Sequence, residues 1–295
     1  MFKIGDLDLS LFCTCLLAWV AVYYLLFYLF PTRGAEWQCR TITVSHAVVI
    51  SFMAGWCCFI QGPWPLTDAG GPNTRLQIVT ATICLSYFIF DFSWCLYYQT
   101  EGFTMLLHHF LSIIGLLVTL LVGKYGTELV ATICGGEITN PLLQLRWFLR
   151  ETGHKNSLAA EVVDWMFVCS FGFMRLGVGT ILLYCYFTQP TDNLGRFGAV
   201  CIYSLGVIFW VNIMQFAFKK YSGKNRKKRT PRNKSEGEVT TNGLNGVKSQ
   251  KTLNSEYINS IPSQGELKRA NGCLNFDKKH LVHRKRNGVV KQDRL

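Results

Sequence analysis

Two adjacent imidazoles, His108 and His109, stand in the run TMLLHHFLSIIGLLVTLL, which is otherwise apolar and about long enough to cross a bilayer. An acid precedes them, Asp91 in SYFIFDFSW, and Glu137 and Asn140 follow in GGEITNP. A charged side chain at the centre of a membrane helix costs about 2.5–3.5 kcal/mol, so each such group needs a reason to be there. A carboxylate that accepts from one imidazole nitrogen fixes the tautomer and leaves the other nitrogen free as a base or nucleophile. His108, His109 and Asp91 are therefore the catalytic candidates. Glu137, Asn140, Arg175, His46 and Gln215 are candidates for polar support around the same cavity. The alternative is that these groups only hold helices in register, at about 0.6–2 kcal/mol per contact. Successive residues on a helix point about 100° apart, so only one of the two histidines can face Asp91 squarely. The same angle makes the pair poor geometry for a single ion, and neither a metal nor a resident cofactor is expected.

The residue inventory narrows the chemistry. Six histidines with a single HH pair cannot supply the spaced histidine boxes of membrane desaturases and hydroxylases. The chain has no Gly-rich phosphate loop and no GxSxG elbow. Eleven of the twelve cysteines precede residue 219, with no CxxC, and read as small buried hydrophobes.

The elements that must carry these residues are membrane helices. Leu11 to Phe30 carries no charge and is closed by Pro31; further apolar runs follow at about 42–60, 76–98, 104–123, 127–146, 162–187 and 196–218. The fifth is interrupted by Glu128, Gly135–Gly136, Glu137, Asn140, Pro141 and Gln144, so it is expected to be a kinked or re-entrant segment facing inward. Seven spans are predicted, with six as the alternative. Trp94, Tyr97 and Tyr98 read as an interfacial aromatic belt.

Charge is unevenly divided. Residues 1–218 hold 10 of the 30 Lys/Arg and 12 of the 18 Asp/Glu, so the net +12 belongs to the tail. A nucleic-acid partner is not expected. The basic block from Lys219 to Arg232 directly follows an apolar span, where the anionic cytosolic leaflet is the nearer partner. Arg33, Arg40, Arg146, Arg150 and Lys155 fall on the same side as this block, which places the N-terminus in the lumen and the C-terminus in the cytosol. On that topology Asp91 lies ~10 Å, and the two histidines ~6–8 Å, below the cytosolic surface. The connection between their helices is short, so the two are expected to be antiparallel neighbours. Residues 219–295 are polar and Gly/Ser/Asn-rich, and are expected to be disordered.

A first span followed by a block containing SYFIFD, then LHHFLSIIG, then GGEITNPLLQLRWFLRETG resembles the TLC domain, over about residues 30–220. The family includes ceramide synthases, translocon-associated membrane proteins and a ceroid-lipofuscinosis protein of the endoplasmic reticulum. The resemblance implies an all-α polytopic membrane protein: an N-terminal anchor at 1–30, a six-helix TLC bundle or barrel at 31–218, and the tail at 219–295. It also implies a core holding a lipid or acyl chain, a role in lipid homeostasis, and residence in the endoplasmic reticulum or a connected membrane. In ceramide synthases the HH pair serves acyl transfer from acyl-CoA. Carried over, His108 and His109 would be base or acyl acceptor, Asp91 the orienter, and acyl-CoA a co-substrate. Where the synthases carry an HDxxD-type acidic cluster this chain reads ICGGEITNP, with Glu137 and Asn140 at the polar spots. A lipid-handling protein, an acyltransferase, and a non-catalytic escort whose tail recruits a cytosolic protein are the three functional expectations.

Overall fold

The computed structural model describes residues 3–229, with side chains as far as Lys219. A short antiparallel hairpin, β1 (Lys3–Ile4) and β2 (Leu7–Asp8), leads into α1 (Leu9–Leu29). Asp8 caps that helix by accepting from the Ser10 and Leu11 amides. Then come α2 (Ala35–Trp56), extended by a π-helical turn at Cys57–Gln61, α3 (Arg75–Tyr98) and α4 (Phe103–Val122). α5 (Gly126–Glu137) and α6 (Asn140–Glu151) are short. α7 (Leu158–Gly172) passes through a π-helical segment at Phe173–Val178 into α8 (Gly179–Thr188), and α9 runs from Asn193 to Arg229.

Among the described residues six helical segments are long and apolar enough to cross a membrane: Leu9–Leu29, Ala35–Gln61, Arg75–Tyr98, Phe103–Val122, Leu158–Thr188 and Asn193–Lys219. The predicted span at 127–146 is not one rod but the pair α5 and α6. Pro141 has no N–H to return to the Glu137 carbonyl, and Gly135–Gly136 weaken the turn before it. The two pieces nevertheless run the length of α2. A Cβ on Gly55 would lie 3.7 Å from Cys134 Sγ, whereas near the start of α2 Trp37 meets Phe148 edge-on at 5.6 Å. Together α5 and α6 therefore traverse the bundle, kinked in the middle.

Polar contacts tie the helices at both ends. The Asp6 amide donates to the Leu120 carbonyl at 2.8 Å, and Asn73 Nδ2 donates to Asp6 Oδ2 and to the Thr119 carbonyl. Asn73 Oδ1 accepts from the Gly126 amide at 2.8 Å. These bonds gather the starts of α1, α3 and α5 with the end of α4. The opposite end holds the start of α2, where Gln38 donates to the Phe30 and Arg33 carbonyls, and the Arg146–Asp164 ion pair at 2.6 Å between α6 and α7.

α3 is the central rod. Tyr87, Cys84, Leu85, Thr80, Thr82 and Ser86 on it are all buried. α1, α7, α8 and α9 leave Tyr28, Met166, Tyr184 and Phe197 exposed, as a helix facing hydrocarbon would. The aromatic-belt expectation fails for Trp94, which is buried and donates to Tyr23 Oη at 3.2 Å, whereas Tyr97 is 80% exposed.

By contacts the chain divides into two compact units. The first, up to Tyr97 and from Phe103 to Lys220, holds every candidate site residue. The described part of the second comprises Tyr98–Gly102, with Gln99 at φ 53°, and the helical stretch from Tyr221 to Arg229. α9 thus continues as helix into the first residues of the stretch expected to be disordered, as far as Arg229. The rest of the expected disordered tail, with Thr230–Arg232 of the basic block, lies outside the described residues.

Candidate functional site

The two histidines part company. His109 turns towards α3, where its Nε2 lies 3.4 Å from Asp91 Oδ2, and both residues are buried. Asp91 Oδ1 meanwhile faces the Cys39 thiol at 3.4 Å. His109 Nδ1 is buried with no hydrogen-bond partner among the described residues. The imidazole that Asp91 orients is therefore buried against α3.

His108 points the other way. Its ring packs edge-on to Phe88 and Phe209, at 6.1 and 5.6 Å, and forms no hydrogen bond or ion pair with a described residue. It lines a cavity of about 290 Å³ bordered by α3, α4, α5, the π-helical segment, α8 and the first turns of α9. The walls are chiefly apolar, with Leu111, Ile114, Val118, Leu129, Ile133 and Ile202. Along α4 the lining extends from His108 to Thr119, which at ~1.5 Å per residue is about 16 Å. The volume sits near the lower end of the range for small-molecule pockets, about 300–1,000 Å³.

Glu137 and Arg175 line the same cavity. Arg175 sits in the π-helical segment, a distortion that turns its guanidinium against α5. Gly136 makes room for it: a Cβ there would come within 2.9 Å of Arg175 Nη2. The Gly135–Gly136 pair, legible in the sequence only as a helix breaker, is thus also the seat of a cation. No carboxylate of a described residue lies within 4.0 Å of Arg175, and its buried Nε has no partner among the described residues.

From Glu137 a ladder of side chains descends along the kinked traverse. Asn140 Nδ2 donates to Glu137 Oε2, Gln144 Nε2 donates to Asn140 Oδ1, and Arg40 Nη1 donates to Gln144 Oε1, each at 3.0 Å. Arg40 Nε then pairs with Glu36 Oε1 at 2.9 Å. Sequence reasoning placed Glu137 and Asn140 here but missed Gln144 and Arg40. The signal was the i, i+3 and i+4 spacing of Glu137, Asn140 and Gln144, which puts all three on one helical face.

The remaining candidates fall outside this cluster. His46 is fully buried, stacked on Tyr87 with centroids 3.6 Å apart, and both its ring nitrogens lack partners among the described residues. Gln215 is exposed on α9. A donor set overlooked in the sequence consists of Asp91, Cys95 and His109, whose ligand atoms lie within 4.8 Å of one another. Asp91 and Cys95 are i, i+4 on α3, the spacing that a pair of metal ligands on one helix needs.

The far end of the cavity is closed by Tyr125 and the start of α9. Tyr125 occupies the left-handed region at φ 75°, uncommon for a bulky residue. Its hydroxyl donates to Asp192 Oδ2 at 2.6 Å, and Asp192 Oδ1 accepts from the Gly195 amide at 2.9 Å. The Gly195 amide and the Tyr125 hydroxyl hold the Asp192 carboxyl below its ordinary value, while burial and that same carboxylate push the Tyr125 phenol up to about 12. Gly195 is required, because a Cβ there would collide with Tyr186 Oη.

The profile of the TLC domain, described as TRAM_LAG1_CLN8, matches residues 36–218. Among curated proteins the chain is similar to TLC domain-containing protein 4 A of Dictyostelium discoideum, at 22% identity over 145 residues. The match covers 48% of this chain and 55% of that protein, so the chain spans about half the length of that relative.

Proposed function

Because the chain belongs to the TLC-domain family and is a multi-pass membrane protein, we propose that it handles a membrane lipid or acyl chain inside its core and thereby shapes lipid homeostasis. One observation carries this reading: an apolar cavity of about 290 Å³ between membrane-crossing helices, with an unpaired imidazole, His108, in its wall. The apolar length accepts a hydrocarbon tail, and the polar groups at one end meet the part of the lipid that is not hydrocarbon. His109 and Asp91 set the orientation of the helix turn that presents His108. The endoplasmic reticulum is the proposed membrane, and the basic stretch beginning at Lys219 the proposed contact with an anionic cytosolic leaflet.

A second reading, acyl transfer, is favoured by the freedom of the His108 ring nitrogens. In it His108 takes the proton of an acceptor hydroxyl or amine as that group attacks the thioester carbonyl of an acyl-CoA. The carbon–sulfur bond breaks, and the CoA thiolate leaves with the proton. The experiment is lipid profiling of cells lacking the protein, rescued with wild type, H108A, H109A or the double variant at matched abundance. Loss of rescue by H108A is expected. A full rescue by an abundant double variant would remove both histidines from the function and acyl transfer from consideration. Accumulation of a defined acylated product with wild type alone would select the second reading.

A further inference from the structure

Arg175 is a guanidinium in the interior of a membrane bundle with no carboxylate within 4.0 Å among the described residues and an unpartnered, buried Nε. Taking such a cation out of water is expensive unless an anion meets it. Glu137 acts on it only through space, and Glu137 Oε2 is already engaged by Asn140 at 3.0 Å. On its other flanks Arg175 meets Phe171, whose ring centroid lies 5.6 Å away, and Gly206, where a Cβ would be 3.8 Å off. Two cavities border what remains, a small one of about 90 Å³ beside Met174 and Leu182 and the larger one of about 290 Å³ that also carries His108.

We propose that the ligand of the larger cavity is a single-chain lipid whose anionic oxygen head, a carboxylate or a phosphate, rests on Arg175. The inference builds on the lipid-handling reading and names the class of lipid. A planar fork of N–H donors fits the paired oxygens of either head. The head lies at the Arg175 and His108 end because Arg175 supplies the positive charge among the lining residues, whereas the opposite stretch holds Glu128. The tail runs along Leu111, Ile114, Val118 and Ile133 towards Gly195. The volume of about 290 Å³ suits one chain rather than two. Gly136 belongs to the device, since any side chain there would displace the guanidinium.

The test uses the full chain in nanodiscs and three photoreactive probes with the same diazirine-bearing hexadecyl tail: a fatty acid, a lysophosphatidic acid and a fatty alcohol. Gly115 lines the cavity with nothing within 4 Å of a Cβ, so G115F introduces a ring at that wall and reports the tail site. Wild type is expected to be labelled at least tenfold more by an anionic probe than by the alcohol. R175Q should bring that ratio to about one, and R175K should retain part of it. E137Q should raise it, because a competing negative charge is removed. Whichever anionic probe is preferred identifies the source of the head group.

Equal labelling by acid, phosphate and alcohol, all blocked by G115F, would overturn the anionic head and leave the lipid cavity standing. Labelling that G115F does not reduce for any probe would overturn the cavity reading as well. The wild-type ratio and the E137Q response decide the matter even if R175Q does not fold, and a loss of stability with an unchanged ratio in E137Q would make Glu137 the counter-charge and refute the proposal.

Discussion

Asp91 is expected to serve stability and His108 to serve function, and substitution separates the two roles. Asp91→Ala removes a buried carboxylate that meets His109 Nε2 and Cys39 Sγ, each at 3.4 Å. Contacts of that length are worth about 0.5–1 kcal/mol apiece, and leaving the buried His109 ring unpaired adds about 1–3 kcal/mol. The total is about 3 kcal/mol, a large part of a folding free energy of about 5–15 kcal/mol. For a domain of this size it corresponds to a fall in Tm of about 6–12 °C. Asp91→Asn keeps the shape and one acceptor, so about half of that loss is expected. His108→Ala removes a ring that already faces a cavity, so its packing loss is about 1 kcal/mol and its Tm shift at most about 4 °C. Tryptophan fluorescence during thermal unfolding of the detergent-solubilised protein gives the Tm, and cellular lipid profiles give function. A variant series in which Asp91→Ala unfolds like wild type but loses function, while His108→Ala keeps function, would show that Asp91 acts directly and would refute the division argued here.

Other perturbations follow from single contacts. Gly195→Ala drives a methyl into Tyr186 Oη and the Tyr125 ring, whose Cε1 would be 3.0 Å away; a destabilisation of about 1–3 kcal/mol is expected in the same melting assay. Gln144→Leu cuts the ladder between Asn140 and Arg40 and removes one hydrogen bond from each, so a loss of about 2 kcal/mol is expected, partly restored by Gln144→Glu through its pairing with Arg40. The Asp192 carboxylate is held below its ordinary value of 3.8, so its contribution is present above that pH and is lost as pH falls through the lower folded-state value. Amide exchange at Gly195 should therefore accelerate only at strongly acid pH, and Asp192→Asn should abolish that dependence. At the other extreme burial and the Asp192 carboxylate push the Tyr125 phenol up to about 12, so ultraviolet titration should show a late-ionising phenol that Tyr125→Phe removes.

Element type and the presence of several membrane-crossing segments could be read from the sequence, because both depend on local composition. Twenty-odd apolar residues in a row must form a helix in lipid, where no water satisfies the backbone. The break in the fifth segment was equally local, written in Gly135, Gly136 and Pro141. The Asp91–His109 meeting was legible in part: a short connection makes two helices antiparallel neighbours, and depth then follows from counting. Which histidine meets the acid was not. Adjacent residues differ by about 100°, and only the rotation of α4, set by what packs on every side of it, turns His109 to Asp91 and His108 to the cavity. The same holds for Gln215, polar in the sequence yet turned outward, for Trp94, turned inward, and for Arg175, whose lack of a carboxylate neighbour among the described residues is a fact about several other helices. Composition along a chain decides what each segment is; the direction a side chain faces depends on the packing of segments far apart in sequence, and that exists only once the chain has folded.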